Sequence, residues 1–140
     1  MIDSVITDIF QGQFYNSVRC QRCDHNHVSF DSFLSITLEF PKETEYLTRY
    51  TSLESCLQDF VKPELIDKKE GYRCERCKVP VSIRKQIVIW RLPPVLIIHL
   101  KRFYYSTWRK EKLDTIIDYT VRDLDLGPYC EKAGNLITIR

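Results

Sequence analysis

Four of the six cysteines in this 140-residue chain form two matched pairs. Cys20 and Cys23 lie in VRCQRCDHN, and Cys74 and Cys77 lie in YRCERCKVP. Two residues between the cysteines of a pair allow a tight turn to direct both sulfurs at one point. Two such pairs can supply four thiolates to one tetrahedral zinc ion. The spacing therefore predicts a zinc site formed by Cys20, Cys23, Cys74 and Cys77.

Basic residues flank both cysteine pairs. Four thiolates and one Zn²⁺ carry a formal charge of about −2, which neighbouring cations can offset. Positive neighbours also lower thiol pKa values and so favour the metal-binding thiolate. The residues expected to act in this way are Arg19, Arg22, Arg73, Arg76 and Lys78.

The sequence leaves other roles of these cysteines open. A C-x-x-C pair can be a redox dithiol, and the four thiols can form disulfides or stay free and buried. In addition, 50 residues separate Cys23 from Cys74, whereas short zinc ribbons use roughly 15–20. The intervening chain must therefore form structure of its own and return. His25 and His27 are possible substitute ligands, but four cysteines already fill the site, so we expect both histidines in a surface loop.

The composition is that of an ordinary globular protein, with 44% hydrophobic and 29% charged residues. The net charge of +2 predicts no strong attraction to nucleic acid. The first ten residues lack the pattern of a signal peptide, and no apolar run is long enough to span a membrane. In a reducing compartment, C-x-x-C pairs more often bind metal. We therefore expect a cytoplasmic or nuclear location and no membrane partner.

Hydrophobic periodicity predicts the elements that position the first pair. A short helix should begin after Asp3 and Ser4, and GQFYNSVR should form a strand that leads into the pair. VSFDSFLSITLEF should form a strand after it. Phe33 falls on the polar side of that strand, where it could contact a second layer, a partner or a neighbouring loop. The expected apolar face contains Val28, Phe30, Leu34, Ile36, Leu38 and Phe40.

A second helix is predicted in TSLESCLQDFVKP, where Thr51 and Glu54 have the spacing of a capping box. Its apolar stripe should contain Leu53, Cys56, Leu57 and Phe60. Cys56 is therefore expected to be a small core residue.

After the second pair, VSIRKQIVIW should form a strand, and residues 95–103 form a nearly unbroken apolar run. Such a run predicts a strand buried on both faces. We expect Val95, Ile97 and Leu100 to be among the most buried residues, with His99 packed inside the strand. STWRKEKL is typical of a hairpin connection and DTIIDYTV of a further strand. Strands joined without crossover helices predict an α+β fold with mostly antiparallel pairing.

Residues 92–103, LPPVLIIHLKRF, resemble the central motif of the ubiquitin-specific proteases, the cysteine deubiquitinases with a thumb, palm and fingers architecture. Further segments agree in order: FQGQF with VRCQRC, FDSFLSITL, SLESCLQDF, YRCERC and IDYTVRDLDLGPY. The last departs from the family, which more often has Phe-Pro where Tyr119 and Thr120 stand. The resemblance covers roughly residues 4–129. It implies that residues 1–140 are a partial catalytic domain, comprising the fingers and part of the palm, with the zinc at the fingertip.

The resemblance also implies a function in deubiquitination, with ubiquitin or ubiquitinated proteins as partners. The family places its nucleophile in a segment resembling Gly-Asn-Thr-Cys and its base in Asn-His-x-Gly and Gly-His-Tyr segments. None of these occurs in this sequence. We therefore assign no catalytic residue and expect the chain to be inactive alone. The ubiquitin-binding residues are unknown, although Phe33 and exposed residues of the finger strands are candidates.

A zinc-ribbon module that binds nucleic acid or protein is the alternative function. The basic residues at both pairs and the aromatic segment RFYYSTWRK support it. The near-neutral net charge and the central motif weigh against it, so nucleic acid is not the expected partner.

Overall fold

The computed structural model describes residues 4–41, 50–105 and 110–131. Among these residues, no helix is long and apolar enough to cross a membrane. Short 3-10 turns lie at Lys68–Glu70 and Gly127–Tyr129. The helices and strands are α1 (Val5–Phe10), β1 (Gly12–Cys20), β2 (Asn26–Phe33), β3 (Ile36–Leu38), β4 (Tyr50–Ser52), α2 (Leu53–Val61), β5 (Glu64–Ile66), β6 (Ile83–Arg91), β7 (Ile98–Leu100), β8 (Phe103–Tyr105), β9 (Lys110–Lys112) and β10 (Ile116–Asp118).

The largest sheet has four strands in the order β2-β1-β6-β5, and every pairing in it is antiparallel. Three smaller sheets within the described residues have two strands each. β3 pairs with β7 and β4 with β10 in parallel, whereas β8 pairs with β9 antiparallel. The predicted α+β class with mostly antiparallel strands is confirmed. In the hairpin predicted over STWRKEKL, β8 precedes the segment and β9 lies within it, and the two strands pair. Residues 106–109 lie outside the described part of the chain.

Helix α2 begins one residue later than the sequence predicts. Ser52 is the N-cap, and its Oγ accepts a hydrogen bond from the Ser55 backbone N–H at 3.1 Å. The prediction that Thr51 caps the helix is wrong, because Thr51 lies inside β4, opposite Ile117 of β10. The apolar stripe is confirmed: Leu53, Cys56 and Leu57 are buried, and Phe60 packs against the same core.

The main core lies between α2 and the adjacent end of the large sheet. The ring of Phe14 on β1 stacks on Phe33 at the end of β2, with centroids 4.2 Å apart. The Phe60 ring on α2 lies 5.7 Å from Phe14. Buried area of this kind is the dominant favourable contribution to folding. The fully buried side chains here are Ile36, Leu38, Cys56, Leu57, Ile89 and Leu126.

Phe33 is a core residue and not a surface candidate. Its side chain is only 7% exposed, whereas Leu34 is 49% exposed. The predicted single strand is broken, because β2 ends at Phe33 and the chain bends at Leu34 and Ser35 before β3 begins. The bend changes which residues face the core. Val28 and Phe30 therefore lie on the exposed side, and the expected shared apolar face is wrong.

The prediction for the apolar run at residues 95–100 is also wrong. Val95 is 48% exposed and Ile97 is 45% exposed, His99 is exposed, and Leu100 is half-buried. Only three residues of the run form a strand, β7, which pairs with β3 alone among the described residues. Burial on both faces requires another layer packed against each face of the strand. Within the described part of the chain, β7 is an edge strand.

Candidate metal centre

Strand pairing brings the two cysteine pairs together. Cys20 is the last residue of β1 and lies opposite Ile83, the first residue of β6. The first pair occupies the turn between β1 and β2, and the second pair comes shortly before β6. The backbone N–H of Gln21 donates to the Ser82 carbonyl at 3.0 Å and holds the two turns side by side.

The first pair forms a tight turn closed by backbone hydrogen bonds. The N–H of Cys20 donates to the carbonyl of His25 at 2.9 Å, and the N–H of Asp24 donates to the carbonyl of Cys20 at 3.0 Å. The Arg22 N–H points at the Cys20 sulfur, 3.4 Å away. Asp24 has φ = 59°, in the left-handed region that non-glycine residues seldom adopt.

The second pair repeats this turn. The N–H of Cys74 donates to the carbonyl of Val79 at 3.3 Å, and the N–H of Lys78 donates to the carbonyl of Cys74 at 2.8 Å. The Cys77 N–H lies 3.5 Å from the Cys74 sulfur. Lys78 has φ = 58°. Both turns therefore place a left-handed residue directly after the second cysteine.

The four sulfurs converge on one point. All of them lie within 4.8 Å of one another. Cys20 Sγ is 4.0 Å from Cys77 Sγ, and Cys23 Sγ is 3.8 Å from Cys74 Sγ. Zn–S bonds of about 2.3 Å in a tetrahedron place the sulfurs about 3.8 Å apart, whereas a disulfide needs about 2.05 Å. The residues fit a tetrahedral metal ion, and the disulfide alternative does not fit.

Protonation of the cluster depends on its neighbours. Burial opposes the Cys20 thiolate, but the backbone N–H groups of Cys23 and Arg22 and the thiols of Cys23 and Cys74 stabilise it and lower its pKa to about 7. The pKa of Cys77 is raised to about 12, because its thiol is hydrogen-bonded to Cys23 and is partly desolvated. Without a cation, the cluster cannot hold four negative sulfurs. A divalent metal ion would replace the protons and supply the missing positive charge.

Two of the five basic residues at the site contact the residues with positive φ, Asp24 and Lys78. Arg19 Nη1 lies 3.5 Å from Asp24 Oδ1 in the first turn. Arg73 Nη2 donates to the backbone carbonyl of Lys78 at 2.9 Å in the second. These arginines stabilise the turn backbone, a role that the sequence analysis did not assign to them.

The two histidines stand apart from the sulfur cluster. Within the described residues, the cluster of potential ligands contains only the four cysteines. His25 is half-buried and His27 is exposed. His27 lies at the start of β2, where its Nδ1 is 3.8 Å from a carboxylate oxygen of Glu75 in the second turn.

The remaining cysteines lie in apolar surroundings. Cys56 is 1% exposed in helix α2, and burial raises the pKa of its thiol. Cys130 is half-buried, and burial together with the charge of Asp125 raises the pKa of its thiol. Both shifts disfavour the nucleophilic thiolate. That the chain contains no catalytic residue stays a prediction.

An aromatic cluster on the large sheet was not singled out by sequence analysis. Tyr15, Phe30 and Trp90 come from three neighbouring strands, and their ring centroids lie 5.2–6.0 Å apart. Alternation along β1 places Tyr15 on the opposite face from Phe14 and could have indicated this. The strand register was needed to bring the three rings together.

Residues 2–138 match the family model for ubiquitin carboxyl-terminal hydrolase. The chain belongs to this family. Ubiquitin carboxyl-terminal hydrolase 2 of Gallus gallus is 33% identical over 133 residues, which cover 95% of this chain and 36% of the relative. Ubiquitin carboxyl-terminal hydrolase 23 of Arabidopsis thaliana is 36% identical over 136 residues, covering 95% of this chain and 15% of the relative.

Solved hydrolase structures share the fold. The SAGA Ubp8/Sgf11/Sus1/Sgf73 DUB module bound to ubiquitin aldehyde matches with a TM-score of 0.78 and 27% identity, over 98% of this chain and 30% of that chain. A yeast SAGA DUBm structure matches with a TM-score of 0.78 and 29% identity, over 94% of this chain and 28% of that chain. The chain thus spans about a third or less of the length of these relatives.

Proposed function

We propose that residues 1–140 form the fingers and part of the palm of a ubiquitin-specific protease catalytic domain. In that domain the chain binds ubiquitin or ubiquitinated proteins and supports thiol hydrolysis of the isopeptide bond. The observation that carries the proposal is the convergence of four sulfurs from distant segments in a chain of this family. The similar structure that is bound to ubiquitin aldehyde supports ubiquitin as the partner.

The proposed ion is zinc, held by Cys20, Cys23, Cys74 and Cys77. Four protein ligands complete a tetrahedron and leave no position for a substrate, so the role is structural. The hydrophobic cluster at this end of the sheet is small, with Val81 and Ile83 as its buried members besides two of the cysteines. The metal therefore replaces part of a core that these strand ends lack.

The chain alone is proposed to be inactive. The family's nucleophile and base lie in sequence segments that do not occur in this sequence. The free thiols and the metal site suit a reducing compartment, so the proposed location is the cytoplasm or nucleus. Neither a membrane nor nucleic acid is the proposed partner. Arg19 and Arg73, two of the basic residues that favoured nucleic acid, bind groups within their own turns.

A binding experiment tests the proposed function. Isotopically labelled ubiquitin is titrated with the purified zinc-loaded chain and followed by nuclear magnetic resonance. A parallel titration uses a fluorescent oligonucleotide at several salt concentrations. We expect saturable shifts in ubiquitin signals and no tight oligonucleotide binding. The opposite result overturns the proposal: ubiquitin signals that do not shift, together with oligonucleotide binding that weakens steeply as the salt concentration rises.

A further inference from the structure

Strand β2 forms one edge of the large sheet. It pairs with β1 on one side, and none of the described residues pairs with its other side. β2 has eight residues, whereas β5, at the opposite edge, has only three. An unpaired edge presents a row of backbone N–H and C=O groups, which makes it a template for a further strand.

The features that usually prevent edge pairing are missing from β2. Its sequence, NHVSFDSF, contains no proline, glycine, lysine or arginine. A bulge can also protect an edge. The pairing of β1 with β6 has a bulge at Trp90, but the pairing of β1 with β2 is regular throughout. The short β5 is a poor template by its length alone, so β2 is the edge that can accept a strand.

The hydrogen bonds to β1 determine which residues of β2 face outward. The Cys20 N–H donates to the His25 carbonyl, and hydrogen-bonded pairs recur at every second position of an antiparallel ladder. The backbone groups of His27, Ser29 and Asp31 therefore bind β1. The backbone groups that point away from β1 belong to Asn26, Val28, Phe30 and Ser32.

Apolar side chains accompany these outward backbone groups. Phe30 is 50% exposed and Val28 is 38% exposed. They lie two residues apart and therefore on the same face of β2. A strand added at this edge would bind the backbone groups and cover part of both side chains.

The sequence of β2 is complementary to itself. In a symmetric antiparallel pair centred on Ser29, Val28 of one copy lies opposite Phe30 of the other, and His27 lies opposite Asp31. The outward backbone groups of Val28 and Phe30 then hydrogen-bond to each other. Cross-strand pairs of an aromatic with a β-branched residue, and of opposite charges, stabilise a sheet. Each pair occurs twice, because the two-fold axis repeats it.

The adjacent registers lose this match. Outward residues must pair with outward residues, so the centre of the pair moves by one residue at a time. With the centre at Phe30, Asp31 lies opposite Ser29. With the centre at Val28, Asp31 lies opposite His25, outside β2. Only the register centred on Ser29 therefore places both Asp31 and its partner within the paired strands.

The two polar side chains keep atoms available for this contact. The Asp31 carboxylate accepts a hydrogen bond from Asn16 through Oδ2, which leaves Oδ1. His27 approaches Glu75 through Nδ1, which leaves Nε2. Both side chains are on the same face of β2, since they are four residues apart. They can meet across the two-fold axis without losing their contacts within the chain.

We infer that two copies of this chain pair through β2, antiparallel and centred on Ser29, and form one continuous sheet with four strands from each copy. An edge contact of this length is small, so the dimer should form reversibly at micromolar or higher concentration. This association does not depend on the binding of ubiquitin.

The test uses two charge variants of the zinc-loaded chain. His27→Glu and Asp31→Lys should each raise the dissociation constant of the dimer about tenfold, because both symmetric pairs lose their complementarity. An equimolar mixture of the two variants should dimerise again, since a lysine then faces a glutamate. Glu64→Lys is the matched control, because it changes the charge in the same way at the other edge, in β5. It should leave the dissociation constant unchanged. Analytical ultracentrifugation measures all four samples, and zinc content and circular dichroism verify their folding.

Amide hydrogen exchange locates the contact in the unsubstituted chain. In the monomer, the N–H groups of Val28 and Phe30 face the solvent, whereas those of His27 and Ser29 bind β1. Raising the chain concentration should therefore slow exchange at Val28 and Phe30 and leave exchange at His27 and Ser29 almost unchanged.

Dissociation by each charge variant, with recovery in the mixture, supports the dimer. A chain that stays monomeric at millimolar concentration overturns it. A dimer that both charge variants leave intact is held through another surface and also overturns the inference. If a variant loses its zinc, the exchange experiment decides: unchanged exchange at Val28 and Phe30 in a concentrated sample rejects the pairing through β2.

Discussion

The ring of Phe33 lies directly against the backbone of Gly12. A Cβ added to Gly12 would come within 2.8 Å of Phe33 Cε1 and 2.7 Å of the Arg91 carbonyl oxygen. The absence of a side chain at Gly12 thus allows the Phe33 ring to enter the core and stack on Phe14.

Gly12→Ala should destabilise the chain by about 1–3 kcal/mol, because overpacking forces the Phe33 ring or the β6 backbone to move. Chemical denaturation measures the change in the free energy of unfolding. Combining it with Phe33→Leu should cost less than the sum of the two single substitutions, because the smaller side chain gives space to the new methyl group. Strict additivity would show that the two residues do not interact.

Each chain should bind one zinc ion, and Cys77→Ser should abolish tight binding. Loss of the metal should lower the unfolding free energy by about 3 kcal/mol, or the melting temperature by about 10 °C, for a domain of this size. Elemental analysis and thermal unfolding measure both effects. Cys130→Ser is the matched control, because Cys130 lies outside the sulfur cluster. A Cys77→Ser chain that keeps stoichiometric zinc would refute the ligand assignment.

Zinc affinity should fall as the pH falls. The Cys77 thiol, whose pKa is raised to about 12, is protonated at neutral pH and must release its proton to the solvent when zinc binds. Below about pH 7 the Cys20 thiol, whose pKa is lowered to about 7, also carries a proton. Below pH 7 the apparent zinc affinity should therefore decrease by about tenfold per pH unit in addition to the decrease caused by Cys77. Competition with a chromophoric chelator between pH 6 and 8 measures this, and an equal slope on both sides of pH 7 would contradict it.

Lys78→Gly should stabilise the zinc-loaded chain by roughly 0.5–1 kcal/mol. Glycine adopts a positive φ without the steric cost borne by other residues, and part of this gain is offset by its greater freedom in the unfolded chain. The backbone carbonyl that accepts from Arg73 is retained. Lys78→Val is the opposing control and should destabilise by about 1–2 kcal/mol, because a branched Cβ clashes in this region. Denaturation midpoints that shift together for both variants would argue against strain at Lys78.

The purified chain should not hydrolyse a fluorogenic ubiquitin C-terminal conjugate. Loss of the nucleophile or the base of a triad costs on the order of 10⁶ in turnover. Neither Cys56 nor Cys130 should react with an alkylating ubiquitin probe, because their raised pKa values disfavour the thiolate. Mass spectrometry detects any adduct. Turnover above a zinc-only blank, or an adduct on either cysteine, would show that the chain has catalytic machinery of its own.

The clustering of the four cysteines could be predicted from sequence because its signal is local. A C-x-x-C spacing favours a tight turn. Two copies of this motif indicate one shared site even when 50 residues separate them. The stripe of α2 was predictable for the same reason, since Leu53, Cys56 and Leu57 recur at helical spacing.

Features that depend on distant neighbours were not predictable. Apolar residues such as Ile97 indicate burial only if another strand or layer covers them, and a sequence window does not show whether one does. The exposure of Phe30 and the burial of Phe33 depend on a bend at Leu34 that periodicity does not show. The bulge at Trp90 likewise arises from pairing with a strand far away in sequence.

The order of strands in the large sheet has a consequence for how the chain folds. β1 pairs with β6, and Phe14 lies opposite Ile89. The central pair of strands therefore cannot form until the distant strand β6 is present. Closing so long a loop costs chain entropy before any contact compensates for it, which slows folding. During synthesis on the ribosome, β1 and β2 can form only a hairpin, which has little stability by itself in water. The sheet is completed when β6 emerges, and by then both cysteine pairs have been synthesised and can come together.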